Sequence, residues 1–206
     1  MKRFLQKYQF KYGRYAIQNL LLVISVGQLI VFFADMMTGM WASSVLSLAW
    51  PYVLQGQIWR LVTFIFVPQS SSILSMFLSV YFYTFIGRTI ETEWGRFQFN
   101  VYYLIGMICN IVAAMFSGYG TAYYLNMSTF IAFAILYPQF ELLLFYVIPI
   151  SAKWIAVLDG LYILVDFIRI PILRASILMS MVPLVLFFWE DIYYAFRRLQ
   201  YRLRNR

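Results

Sequence analysis

"YAIQNLLLVISVGQLIVFF", residues 15–33, runs for nineteen positions without one charged side chain. A helix that crosses the bilayer core needs about 20 predominantly apolar residues. The stretch has that length, and Lys2, Arg3, Lys7, Lys11 and Arg14 precede it. A basic start followed by an apolar run is also the order of a signal peptide. Here the run is long enough to span and no small-residue cleavage site follows, so it reads as a retained first helix.

The rest of the composition agrees. Apolar residues make up 63% of the 206 and charged residues only 12%, against roughly 25% charged in soluble domains. One water-facing globule cannot hide that much apolar surface, so a bilayer is the solvent. The 17 Tyr and 6 Trp suit membrane–water interfaces, where such rings collect. The net charge of +8 is concentrated at the ends. Arg197, Arg198, Arg202, Arg204 and Arg206 match the five basic residues at the start, and these ten exceed the whole net charge. Basic flanks beside apolar spans mark cytoplasmic ends in contact with anionic headgroups. That reading displaces nucleic acid as a partner. The single cysteine, Cys109, can form no intrachain disulfide.

Six membrane helices follow from the apolar runs: Tyr15–Phe33, Ile73–Ile90, Phe97–Gly118, Tyr123–Tyr137, Ile155–Phe167 with neighbours, and Ile172–Trp189. The last two come from one long run that Arg169-Ile170-Pro171 divides, since the residue before proline disfavours helix. The stretch 38–72 is apolar but broken by Pro51 and Pro68, as an interfacial loop of short amphipathic helices would be. Residues 138–153 read as a second interfacial loop. The expected fold is an all-α membrane protein of one domain, 1–206, with short basic cytoplasmic ends at 1–14 and 195–206. Both termini then face the cytoplasm of the cell membrane, and a bacterial inner membrane is the expected host. Oligomeric state is not fixed by these patterns.

Chemistry is limited by one absence: the chain has no histidine. No Ser–His or Cys–His pair can form, and one cysteine with no histidine makes no zinc site. Neither a metal nor a cofactor is expected. Lys153 could act as a base, but the topology places it almost a membrane away from Ser128. Asp159 and Asp166 share a helix face seven residues apart, roughly 10 Å along the axis. An acid dyad needs about 3 Å. Their expected partners are Arg169 for Asp166 and a hydroxyl or water for Asp159. Glu91 and Glu93, beside Arg88 and Arg96, read as a solvated ion-pair cluster. Ser71, Ser75 and Ser79 recur every four residues and suit close helix packing.

Four segments, in order, resemble rhomboid proteins. "GQIWRLVTFIFVP" (56–68) is similar to the first-loop signature. "IGRTIETEWGRFQFNVYYLIG" (86–106) resembles the second-to-third helix junction, with Glu91, Gly95 and Phe97 at recurring places. "NMSTFIAFAILYP" (126–138) occupies the place of the GxSG motif. "LLLFYVIPISAKWIAV" (142–157) resembles the entry to the fifth helix. Trp59-Arg60 also resembles the Trp-Arg pair of Derlins and inactive rhomboids. The resemblance implies a rhomboid-like fold with an interfacial first loop.

The departures decide the function. In active rhomboids, the resemblance implies, the serine stands between glycines and a sixth-helix histidine is its base. Here Ser128 stands between Met127 and Thr129, with Asn126 before them. The sixth helix, "ASILMSMVPLVLFFWEDI" (175–192), has no histidine, and "PQSSSILSMF" (68–77) lacks the oxyanion-binding His and Asn. Without a general base a hydroxyl loses a factor of about 10²–10⁴. Ser128 is thus a vestigial nucleophile position, bonded at a helix start with Asn126 as N-cap. The expected protein is a pseudoprotease, not an enzyme, that binds transmembrane segments of clients in membrane-protein quality control or trafficking. A client would enter beside the second and fifth helices. The expected cavity residues are Ser71, Ser75, Asn126, Ser128, Thr129 and Asp159, with Trp59 and Arg60 seating the first loop. The alternatives are a small-solute or ion transporter using Asp159 and Asp166, a structural subunit docking through its basic tail, and an active rhomboid-type protease with an unusual base.

Overall fold

The computed structural model describes residues 11–70, 72–144 and 148–204, with side chains described for 11–70, 72–141 and 150–189. Helix α1 (Leu20–Thr38) begins five residues later than the apolar run. Asn19 sits in the left-handed region at φ 51° and turns the chain there. The Glu91 carboxylate accepts the Asn19 and Leu20 backbone N–H groups at 2.9 and 2.8 Å. These are first-turn donors that the helix itself cannot satisfy.

The first loop folds as its broken composition predicts. It contains α2 (Trp41–Leu46), β1 (Leu48–Ala49), α3 (Trp50–Leu54) and α4 (Arg60–Thr63). Arg60 holds it together. Its guanidinium donates to the Ser44 and Ser47 carbonyls at 2.7 Å each and to Gln57 Oε1 at 2.8 Å, and lies over the Tyr52 ring. Asp35, near the end of α1, accepts the Ser43 N–H at 2.9 Å and the Ser43 hydroxyl, anchoring α2.

Helices α5 (Ile73–Trp94) and α6 (Arg96–Ser117) meet at Gly95, whose φ of 84° and ψ of 151° suit glycine alone. Strand β2 (Tyr119–Gly120) pairs antiparallel with β1, Leu48 opposite Gly120, and so fastens the first loop to the bundle. Helix α7 (Tyr123–Leu136) follows, then α8 (Ala152–Arg169) and α9 (Arg174–Arg204). Residues 138–153, expected as an interfacial loop, contain an antiparallel hairpin of β3 (Glu141–Leu144) and β4 (Ile148–Ser151).

All six expected membrane helices are helical. Among the described residues, four segments are long and apolar enough to cross a membrane: Gly13–Thr38, Ile73–Trp94, Arg96–Ser117 and Pro171–Trp189. Helix α7 is apolar but has only 14 residues, about 21 Å. It is the centre of the bundle, with Tyr124 to Phe130 and Ala132 to Ala134 all buried. Helix α8 has 18 residues but carries Lys153, Asp159, Asp166 and Arg169. The core joins α1, α5, α6, α7 and α9 through Leu21, Ile86, Phe99, Leu125, Phe133 and Phe187. Close approaches fix its geometry. A Cβ on Gly87 would lie 2.7 Å from Leu21 Cβ, and one on Gly106 would collide with Leu125.

Candidate functional site

Ser128 lies inside α7, one turn past its start. The helix starts at Tyr123, where the apolar run predicts it, and the Thr121 hydroxyl accepts the Tyr123 N–H at 3.1 Å. Asn126 therefore does not cap it. Asn126 is a buried helix-interior residue whose Oδ1 accepts the Tyr103 hydroxyl at 2.9 Å. Ser128 is 0% exposed. Its hydroxyl donates to Leu125 O at 2.8 Å and lies 3.1 Å from the Tyr102 hydroxyl. Thr129, equally buried, donates to the same carbonyl at 2.9 Å.

Aromatic rings close this polar centre. Tyr102 meets Trp94 at 5.5 Å and Phe187 edge-on at 5.3 Å, between ring centroids. Nearby, Asn110 Nδ2 donates to Gly106 O at 2.9 Å and contacts Ser180 Oγ at 3.1 Å, joining α6 to α9. Each hydroxyl here is engaged by a neighbour, and none sits beside a base. The Tyr102, Tyr103, Asn110 and Ser180 partners were not singled out from sequence. The signal was present, because a polar group inside an apolar span must find a partner, but pairing it needs the third dimension.

A cavity of about 440 Å³ opens at the end of the bundle where α7 starts. Ser47, Phe64, Pro68, Gln69, Thr121 and Tyr123 are among its lining residues. Neither Ser128, Asn126 nor Thr129 lines it. The Gln69 amide nitrogen is buried with no hydrogen-bond partner among the described residues. Gln69 belongs to the segment 68–77, where the rhomboid resemblance places the missing oxyanion donors.

The other expected site residues lie in the first loop and along α5. Arg60 is 4% exposed and ties the first loop; Trp59 is 47% exposed, with its indole N–H 3.4 Å from Val45 O. Ser72 caps α5, its hydroxyl accepting the Ser75 N–H at 3.3 Å, and the two hydroxyls lie 2.7 Å apart. Ser79 meets Ser70 at 3.2 Å, and Ser71 lies outside the described residues. Glu91 is buried and caps α1; it is not a solvated ion pair, because its carboxylate reaches backbone N–H groups instead of Arg88 or Arg96. Glu93 accepts the Tyr137 hydroxyl at 3.0 Å.

Helix α8 contrasts with α7. Only Ala152 and Ile163 among its 18 residues are buried. Asp166 accepts the Tyr124 hydroxyl at 2.9 Å, so its partner comes from α7 and is not Arg169. Asp159 is half-buried, close enough to Tyr83 and Tyr123 to interact with them electrostatically, and accepts no hydrogen bond among the described residues. Among the described residues no group of three metal-ligating side chains forms.

Compared with known proteins, residues 18–189 match the family described as "Eukaryotic integral membrane protein (DUF1751)", which is of rhomboid-like type. No curated protein and no solved structure matches the chain. A eukaryotic family overturns the bacterial origin expected from the short basic-ended layout. Basic ends report membrane orientation in any cell, and so carry no information on the organism.

Proposed function

We propose that the chain, which belongs to the DUF1751 family of eukaryotic integral membrane proteins, binds transmembrane segments of other proteins without cutting them. As a multi-pass, rhomboid-like protein it keeps the position of the serine but not its chemistry. The observation that carries the reading is the burial of Ser128: 0% exposed, hydrogen-bonded to Leu125 O, beside Tyr102, in a chain without histidine. A hydroxyl so placed meets neither substrate nor base. The binding face is α8. Carboxylates are expensive against lipid chains, yet α8 holds Asp159 and Asp166 on a helix that the bundle leaves largely uncovered. A client helix with a polar or Gly-rich stretch could satisfy them where lipid cannot. We place both basic ends on the cytoplasmic side, following the positive-inside rule.

Two measurements test this. A fluorophosphonate probe on the purified protein is expected to leave Ser128 unlabelled; labelling lost in Ser128→Ala overturns the reading. Photocrosslinking in cells from Val157 and Leu161, both exposed on α8, is expected to capture single-span proteins. An empty capture list from both positions counts against client binding. The same half-exposed Asp159 favours a second reading, a solute or ion path. Flux into proteoliposomes abolished by Asp159→Asn would support that path instead.

A further inference from the structure

Asp159 stands at the depth where a charge is least tolerated. Helix α8 has 18 residues, about 27 Å. Asp159 lies seven residues past Ala152 and ten before Arg169, about 10 Å from one end and 15 Å from the other. Lys and Arg can snorkel to the interface from such a position; an aspartate side chain is too short to follow. The bundle supplies no cation either. Among the described residues Asp159 forms no ion pair and accepts no hydrogen bond. The basic residues on or beside α8 are engaged elsewhere or turned away. Lys153 lies over the Trp154 ring at 5.8 Å, and Arg174 donates to the Phe167 and Ile168 carbonyls at 2.9 and 3.3 Å. Arg169 forms no ion pair among the described residues. What does surround the carboxylate is aromatic. Tyr83 of α5 and Tyr123 of α7 interact with it electrostatically, and the Tyr162 ring meets the Tyr123 ring edge-on at 6.4 Å. The face of such a ring attracts cations.

We propose that Asp159, with the tyrosines around it, receives a lysine or arginine from the middle of a client's transmembrane helix. The inference rests on the client-binding reading and gives the client its chemistry. Charge complementarity selects the occupant. Lipid offers no cation at that depth, because headgroup amines stay at the interface. An uncharged polar side chain supplies a hydrogen bond but leaves the charge unbalanced. A basic residue inside a client helix carries the same burial cost with the opposite sign, and pairing relieves both. The site is reachable from the bilayer, since Leu158 and Tyr162, on either side of Asp159 in sequence, are 63% and 49% exposed. Asp166 is the weaker receptor. Its carboxylate already accepts the Tyr124 hydroxyl at 2.9 Å, and it lies about 10 Å further along the axis, near the end of α8. With both basic ends of the chain in the cytoplasm, α8 starts on the cytoplasmic side. The client's basic residue then belongs nearer to the cytoplasmic end of its span than to the outer one.

The test uses the full chain in cell membranes, with a photocrosslinking amino acid in place of Leu158. It is co-expressed with single-span reporters whose membrane segment is about 20 leucines and alanines. The first reporter carries one lysine about eight residues from the cytoplasmic end, level with Asp159. The second carries the same lysine at the cytoplasmic end itself, where it snorkels to water and needs no carboxylate. The third has none. Capture is normalised to the amount of inserted reporter. The first reporter is expected to be captured about threefold to tenfold more strongly than the others, and Asp159→Asn is expected to bring all three to the same level. Equal capture of the three by the unaltered chain overturns the inference and leaves client binding standing; that comparison holds whether or not the variant folds. An excess that persists in Asp159→Asn overturns it as well. Capture of none of the three removes client binding itself, and this inference with it.

Discussion

Helices α7 and α8 are neighbours in sequence and in space, yet they are built oppositely. Helix α7 is the shortest of the six and buried along most of its length. Its polar side chains are consumed: Ser128 by Leu125 O and Tyr102, Asn126 by Tyr103, Thr129 by Leu125 O. Helix α8 has two buried residues and keeps Asp159 half-exposed. The helix that resembles a catalytic element has become packing, and the helix beside it keeps the polar groups with capacity to spare. On the proposed reading, unspent polar capacity, rather than position in the fold, locates the binding face.

If the packed half is held by specific polar contacts, its largest dependence is on Glu91. Glu91→Ala leaves two first-turn N–H groups of α1 without an acceptor and removes a charge from a helix N-terminus. The expected cost is about 3 kcal/mol, read as a lower midpoint in detergent thermal unfolding, with Glu91→Gln intermediate. An unchanged midpoint would break the comparison at its packed end. Next in size is Tyr103→Phe, which strands the buried Asn126 Oδ1 at an expected cost of about 1–2 kcal/mol.

Much of this division was legible in the sequence, and the illegible part has a physical cause. Apolar runs and Pro171 set the six helices because the bilayer imposes length and the proline ring imposes a break. Trp, Pro and Gln between residues 38 and 72 announced a broken, helical first loop. Glu91 was misread because a Glu two residues from another, amid arginines, has the same local pattern whether it faces water or a helix end 71 residues away in sequence. Asn126 was misread for a smaller reason: with the helix starting at Tyr123, as the apolar run predicts, Asn126 lies three residues inside it, and its polar side chain is taken up by Tyr103 of another helix rather than by a cap. The roles of Tyr102, Tyr103 and Ser180 depend on partners 23 to 70 residues distant, beyond the reach of any periodic pattern.

Ser128→Ala tests the comparison more finely. Side-chain hydrogen bonds between membrane helices average about 0.6 kcal/mol, so the loss in stability should be of that order and client capture should persist. Loss of capture without loss of stability would return function to α7.

The smallest structural effect with the largest functional one is expected at Asp159→Asn. The carboxylate accepts no hydrogen bond among the described residues, so replacing it with an isosteric amide removes no contact on which the bundle rests. Surface-type substitutions of this kind stay within about 0.5 kcal/mol, and the thermal midpoint should barely move. Crosslinking from Val157 and Leu161 should fall for clients that donate to a carboxylate and persist for those that pack only through apolar contacts. The amide still accepts a hydrogen bond but no longer carries the charge that makes burial against lipid costly. A variant that unfolds would mean that α8 is tied into the bundle through Asp159 after all. A variant that is stable and captures every client as before would leave α8 with no polar role, and the distinction between the two helices would reduce to depth of burial.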